Sequence, residues 1–239
     1  MKRAAVLLFS VVAVFGQALP SPGSTGPNGP SPILLVSSTC QTLGTNGGTT
    51  TALNTTGADF VIVALSQQNG TAYTITDNFS NSFQSIRARG YDSAGSTILL
   101  YPTSFSVSTS SYTVTVSGTA LFNNICISAW SGIAHGWDGF SSGFGATAVS
   151  TISPGTTTPT QTGQNLVITS LACDQTLPVD ISVNAGFTQV PGSPVGATGP
   201  AYGIGLAYLI QTGMASVTPT WNQAAVVGSG MASVIAAFY

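Results

Sequence analysis

The chain contains no glutamate, one lysine (Lys2) and one histidine (His135). Charged side chains are 4% of its 239 residues, and past residue 18 they are two arginines, Arg87 and Arg89, against six aspartates. Phosphate recognition needs clustered positive charge, so this balance argues against a nucleic-acid partner. Glycoside hydrolysis needs two carboxylates held a fixed distance apart. Here the acids are Asp59, Asp77, Asp92, Asp138, Asp174 and Asp180, most of them at strand ends or in turns, where Asp bonds its own backbone. Enzymatic function is therefore unsupported by the sequence. Long apolar runs are also scarce. The longest, Ala4–Phe15, is broken by Ser10 and falls short of the ~20 residues that span a bilayer. No membrane span is expected. The three cysteines, Cys40, Cys126 and Cys173, lie too far apart for a zinc knuckle, and no cofactor is expected.

Few charges often mean disorder, but 43% of this chain is apolar, enough to build a core. The polar faces must then come from Ser, Thr, Asn, Gln and Gly, a composition that fits sheet-rich surface proteins. Lys2 and Arg3, a short apolar stretch and the small-x-small exit Gly16-Gln17-Ala18 read as a signal peptide over residues 1–18. The expected mature protein is secreted or displayed at the cell surface. Residues 19–32, with five prolines and three glycines, read as a flexible linker. Export permits one disulfide and leaves one thiol over, and the expected pair is Cys126 with Cys173, each in a strong strand signal. Buried free thiols are the other reading.

From Ile33 onward short runs rich in Val, Ile, Thr and aromatics alternate with Gly, Asn, Asp, Ser and Pro clusters, which predicts an all-β fold. The strands expected are Phe60–Leu65, Ala72–Thr76, Thr97–Tyr101, Tyr112–Val116 and Ile125–Trp130. Leu166–Ala172, Val179–Val183, Gly203–Ile210, Val217–Trp221 and Ala232–Tyr239 follow. A shift of 106 residues lays Phe60-Val61-Ile62 on Leu166-Val167-Ile168, and slightly altered offsets lay Leu100-Tyr101 on Ala207-Tyr208 and Ala129-Trp130 on Ala237-Phe238. The chain therefore reads as an internal duplication, units 33–138 and 139–239, each of about five strands. Two antiparallel sheets packed face to face in a single sandwich over 33–239 are expected, with two tandem domains as the alternative.

The runs Phe60–Leu65, Thr76-Asp77-Asn78-Phe79-Ser80-Asn81-Ser82-Phe83, Ala129-Trp130-Ser131-Gly132 and Ile235–Phe238 resemble a widespread, poorly characterised bacterial domain. That family occurs in secreted, surface and phage-associated proteins and is similar to jelly-roll sandwiches. Its usual turn is D-x-x-G-N-x-aromatic, and Ser80 replaces that glycine here; its E-[YF]-S-G has become Ala129-Trp130-Ser131-Gly132. The likeness implies fold and says little of function.

Four features invite a functional reading. Gly139-Phe140-Ser141-Ser142-Gly143 matches G-x-S-x-G, but a nucleophile elbow needs a strand before it and a helix after it, and neither is expected. Asp77–Asn81 offers oxygens to calcium, yet one carboxylate is thin for an ion wanting six to eight ligands, and an Asx turn explains it better. Trp130–Phe144 concentrates aromatics among glycines. Trp137, Asp138, His135 and Phe140 are its candidate glycan-binding residues, against the plainer reading of aromatics plugging the fold. Ile33-Leu34-Leu35-Val36 reads as a strand that either covers its own sheet or adds to a neighbour's, making self-association. The expected function is a non-enzymatic structural or adhesive protein, with a carbohydrate-binding module as the alternative.

Overall fold

The computed structural model describes residues 31–68, 73–91, 94–102, 107–118, 123–134, 136–145, 149–173, 181–196, 203–227 and 231–239. The first half holds β1 (Leu34–Gly44), β2 (Gly47–Thr49), β3 (Phe60–Gln68), β4 (Tyr73–Asp77), β5 (Phe83–Tyr91), β6 (Ala94–Pro102), β7 (Val114–Gly118) and β8 (Asn123–Ser131). The second holds β9 (Trp137–Gly145), β10 (Val149–Ile152), β11 (Gln164–Cys173), β12 (Ser182–Val183), β13 (Thr188–Gln189), β14 (Val195–Gly196), β15 (Gly203–Thr212), β16 (Trp221–Val227) and β17 (Met231–Phe238). Among the described residues there is no helix, and every strand pairing is antiparallel. The fold is all-β. The signal peptide, most of the linker and His135 lie outside the described residues.

The two halves share one strand order. The first forms sheets β1-β8-β3-β6-β5 and β2-β7-β4; the second forms β9-β17-β11-β15-β13, with β14 also on β15, and β10-β16-β12. Register repeats as well. Phe60 lies opposite Trp130 and Val61 opposite Ala129, while Leu166 lies opposite Phe238 and Val167 opposite Ala237. Val63 faces Leu100, and Thr169 faces Ala207. Even an irregularity recurs: β1 bulges at Val36, between Leu35 and Ser37, and β9 bulges at Asp138, between Trp137 and Gly139. The ladders set Leu35 on Trp137 and Val36 on Asp138. The second half thus begins before residue 139.

Three apolar clusters follow from the side-chain alternation of the strands. Phe60, Ile62, Ala64, Cys126 and Trp130 project from one face of the first large sheet and meet Leu166, Ile168, Ile204, Leu206, Val234 and Phe238 of the second. Rings cross this seam, with Phe60 and Phe238 centroids 5.1 Å apart and Trp130 edge-on to Tyr208 at 4.9 Å. The opposite faces are covered too. Val61, Val63, Leu65 and Ile127 pack on Ile75, Val114 and Val116 of the first small sheet. Val167, Leu171 and Ile235 pack on Ile152 and Trp221 of the second. Two sheets were expected, and four form. Both large sheets are covered on both sides, which is why their central strands are apolar on both faces rather than alternating.

Ten strand signals in the sequence correspond to β3, β4, β6, β7, β8, β11, β12, β15, β16 and β17, though β16 starts only at Trp221, and Val217 makes just an isolated bridge to Thr157. Gly205 shows how tightly the layers meet: a Cβ there would lie 3.1 Å from the Trp221 ring.

Candidate functional site

β9 is the edge strand of the second large sheet, so its side chains reach solvent where those of central strands do not. Trp137 and Phe140 are three residues apart and in a regular strand would point to opposite faces. The bulge at Asp138 removes one residue from the count. Trp137 then stands opposite Phe238 and Phe140 opposite Ala236, two apart on β17, so both occupy the face that looks toward the first large sheet. Their rings lie 5.4 Å apart at 37°, and they are 42% and 38% exposed. Both rings are therefore partly open to solvent at the strand edge.

Asp138 is engaged within the fold. Its carboxylate accepts both the backbone N–H and the hydroxyl of Thr160, tying the bulge to the segment before β11. It anchors the aromatic pair. The sequence therefore placed Trp137, Asp138 and Phe140 together, and the structure splits them into two exposed rings and one fastening. Trp130, at the start of the same aromatic-rich stretch, is fully buried, its indole N–H donating to Ser128 at 2.9 Å.

The serine of the G-x-S-x-G match, Ser141, sits inside β9 opposite Ile235. The strand continues through it, so it has none of the strand-to-helix context that strains and exposes a nucleophile.

Asp77 closes the β4–β5 turn. Its Oδ1 accepts the N–H groups of Phe79 (3.0 Å) and Asn81 (2.8 Å), and its Oδ2 accepts Asn81 Nδ2 (2.6 Å) and the Tyr112 hydroxyl (2.8 Å). Both oxygens are engaged by protein donors, which is the Asx-turn reading. Burial, and then the charge of Asp77, which accepts a hydrogen bond from its hydroxyl, raise the Tyr112 pKa above the ordinary phenol value. Ser80 has φ +59°, the left-handed conformation in which glycine costs least. Asp59 likewise holds the turn after β8, accepting from Gly132 N–H at 2.8 Å. Gly132 has φ +81°, and a Cβ there would strike the Pro32 carbonyl.

The disulfide joins Cys40 to Cys126, not Cys126 to Cys173. The two lie directly opposite in the β1–β8 ladder, while Cys173 is buried on the far face of β11, between Gly203 and Met231. Strand strength was a poor guide because pairing depends on which strands are neighbours, and the strand read at Ile33–Val36 runs on through Cys40 beside β8. The same ladder decides the position of Ile33–Val36: Ile33 is buried, and Leu34 and Leu35 pair with Ser131 and Trp130 of their own sheet. The residues that sequence reasoning missed line a cleft between β4 and β5, including Tyr73, Phe83 and Ser85. No short motif marks them.

No protein-family model, no curated protein and no solved structure matches the chain. Among the described residues no group of His, Cys, Asp or Glu is arranged to hold a metal ion, and no helix is long and apolar enough to cross a membrane. The functional reading rests on geometry.

Proposed function

We propose that this chain is an exported, non-enzymatic β-protein of the cell surface or its surroundings, with a structural and adhesive role. Each half is read as a jelly-roll-like sandwich, in keeping with the family resemblance and with the order β1-β8-β3-β6 beside β2-β7-β4. The observation that carries the adhesive reading is the Trp137–Phe140 pair, two open rings fixed on an edge strand by Asp138 and Thr160. A rigid aromatic surface gains contact area at little entropic cost, which suits adhesion. Its tilted rings also favour glycan stacking as the specific contact, the second reading.

The test is a glycan array together with adhesion to whole cells, comparing wild type with the Trp137→Ala/Phe140→Ala double variant. Binding is expected to be lost with a smaller fall in melting temperature than a core aromatic would give, since both rings are partly exposed. Equal binding by the variant rejects the reading. Self-association by donating residues 33–39 is opposed by the disulfide, which fastens β1 to β8 at Cys40. Light scattering of the mature chain at high concentration is expected to give a monomer, and a reductant-sensitive oligomer would reverse that.

A further inference from the structure

The two halves part company at the joint between β4 and β5. In an antiparallel ladder, opposed residues alternate between pairs that exchange main-chain bonds and pairs that do not. Asn78 N–H donates to the Thr113 carbonyl at 3.2 Å, so that pair is of the bonding kind. Counting back along the register, Thr76 and Thr74 bond to β7, while Ile75 and Tyr73 turn their N–H and C=O groups away from it. Because β4 is the edge of its sheet, those groups look into an open cleft of about 680 Å³.

The second half builds the same frame and fills it. Asn184 N–H donates to the Thr220 carbonyl at 3.1 Å, and Thr220 N–H returns to Asn184 Oδ1, as Thr113 N–H returns to Asn78 Oδ1. Ile181 therefore stands where Ile75 stands, and both are buried. The Ile181 carbonyl, turned outward by the same alternation, accepts Gln189 Nε2 at 2.6 Å. Gln84 faces Tyr101 and Thr188 faces Tyr208, so Gln189 occupies the place of Ser85. A serine is too short to make that bridge.

We propose that the cleft is a binding site for a neutral saccharide. Its volume is within the range of small-ligand sites. Thr76, Ser80 and Ser85 bring hydroxyls that both donate and accept, and the backbone of Tyr73 and Ile75 adds N–H and C=O groups. That set matches a ligand whose own hydroxyls both give and take. Tyr73 and Phe83 supply ring surface for the apolar faces of a sugar. Among the described residues the lining holds no cationic side chain and one carboxylate, Asp77, already filled by four protein donors, so these residues serve neither an anion nor an amine. The second half shows what this edge takes, a neutral donor reaching the outward carbonyl.

The site uses other residues than Trp137 and Phe140 and stands or falls apart from the adhesive reading. The experiment titrates the full mature chain with neutral hexasaccharides of glucose, xylose, mannose and N-acetylglucosamine, and with an uncharged extended peptide. Calorimetry and backbone amide shifts are the readouts. At least one saccharide is expected to bind and to move the amides of Tyr73 and Ile75. Ser85→Gln, which installs the bridge of the second half, is expected to weaken binding at least tenfold, and the Trp137→Ala/Phe140→Ala variant to leave it within twofold. The amide shifts need no variant and decide the matter if Ser85→Gln misfolds. The proposal is overturned if no saccharide binds, if the peptide alone occupies the cleft, if Ser85→Gln binds as wild type, or if the shifts cluster on β9 instead.

Discussion

The first half is cross-linked where the second is not. Cys40 and Cys126 lie opposite each other in β1 and β8, and the corresponding positions in β9 and β17 are Ser142 and Val234. The stretch from Asp77 to Gln84 is likewise two residues longer than its equivalent from Val183 to Thr188, and Asp77 has Val183 as its counterpart. Across the small sheets, Val114 becomes Trp221, and beneath that indole stands Gly205 where register puts Ile98. Strand order and bulge position survive these exchanges. What is held constant is hydrogen-bonded register and the apolar character of the faces; what varies is how the ends and edges are finished.

That contrast can be broken at its shared core first. Trp130 is buried in the seam that both halves use, and Trp130→Ala is expected to cost about 3–5 kcal/mol in urea unfolding. A loss under about 1 kcal/mol would mean the seam is not a core. Next is the feature only one half owns. The disulfide closes a loop of 86 residues, and its removal by Cys40→Ala/Cys126→Ala is expected to cost about 2–5 kcal/mol. Introducing Ser142→Cys/Val234→Cys into the other half should yield a second bridge by peptide mapping, because the ladder geometry repeats; failure to oxidise would show that it does not.

A smaller effect concerns Tyr112. Its pKa is raised on folding, so above the ordinary phenol range the unfolded chain releases a proton that the folded chain keeps. The stabilisation is complete below about pH 10 and falls as pH rises beyond it. Tyr112→Phe is expected to lower stability by about 1 kcal/mol at neutral pH and to flatten part of the alkaline loss. An unchanged alkaline slope would place the sensitivity elsewhere, with Tyr73, also raised by burial, the next to replace. The smallest change is at Ser80. Ser80→Gly relieves a left-handed backbone and should raise stability by up to about 1 kcal/mol, measured by thermal melting.

Much of this architecture could be read from residues. Phe60–Leu65 announces a buried strand by unbroken apolar character and Leu166–Ala172 by an apolar run interrupted only at Thr169 and Ser170, and their alignment on one another anticipated the repeated register. Two edge strands, β5 (FQSIRARGY) and β9 (WDGFSSGFG), were silent for a physical reason: they are irregular in register, and a bulge destroys the period-two pattern that reveals a strand. The cysteine pairing failed with them, since it needed β1 beside β8. At the candidate site, composition alone singled out Trp137 and Phe140, but only the bulge explains why they share a face. The cleft was invisible because Tyr73, Ile75 and Ser85 matter through backbone direction and side-chain length, neither of which leaves a motif.

The seam between the large sheets has the character of a homodimer interface. Its contacts are reciprocal, with β6 set against β11 and β17, and β15 set against β3 and β8. Such mutual contact between like surfaces is what a two-fold axis produces between identical subunits. Here both subunits are one polypeptide, so association is intramolecular and dilution cannot separate them. The larger consequence is genetic. In a true homodimer every substitution appears twice, and a change that opens one subunit opens the other. In the fused form each substitution appears once. One half can keep Gln189 and a closed edge while the other carries Ser85 and an open one, so a scaffold of two like halves can hold an asymmetric pocket without putting both of its edges at risk.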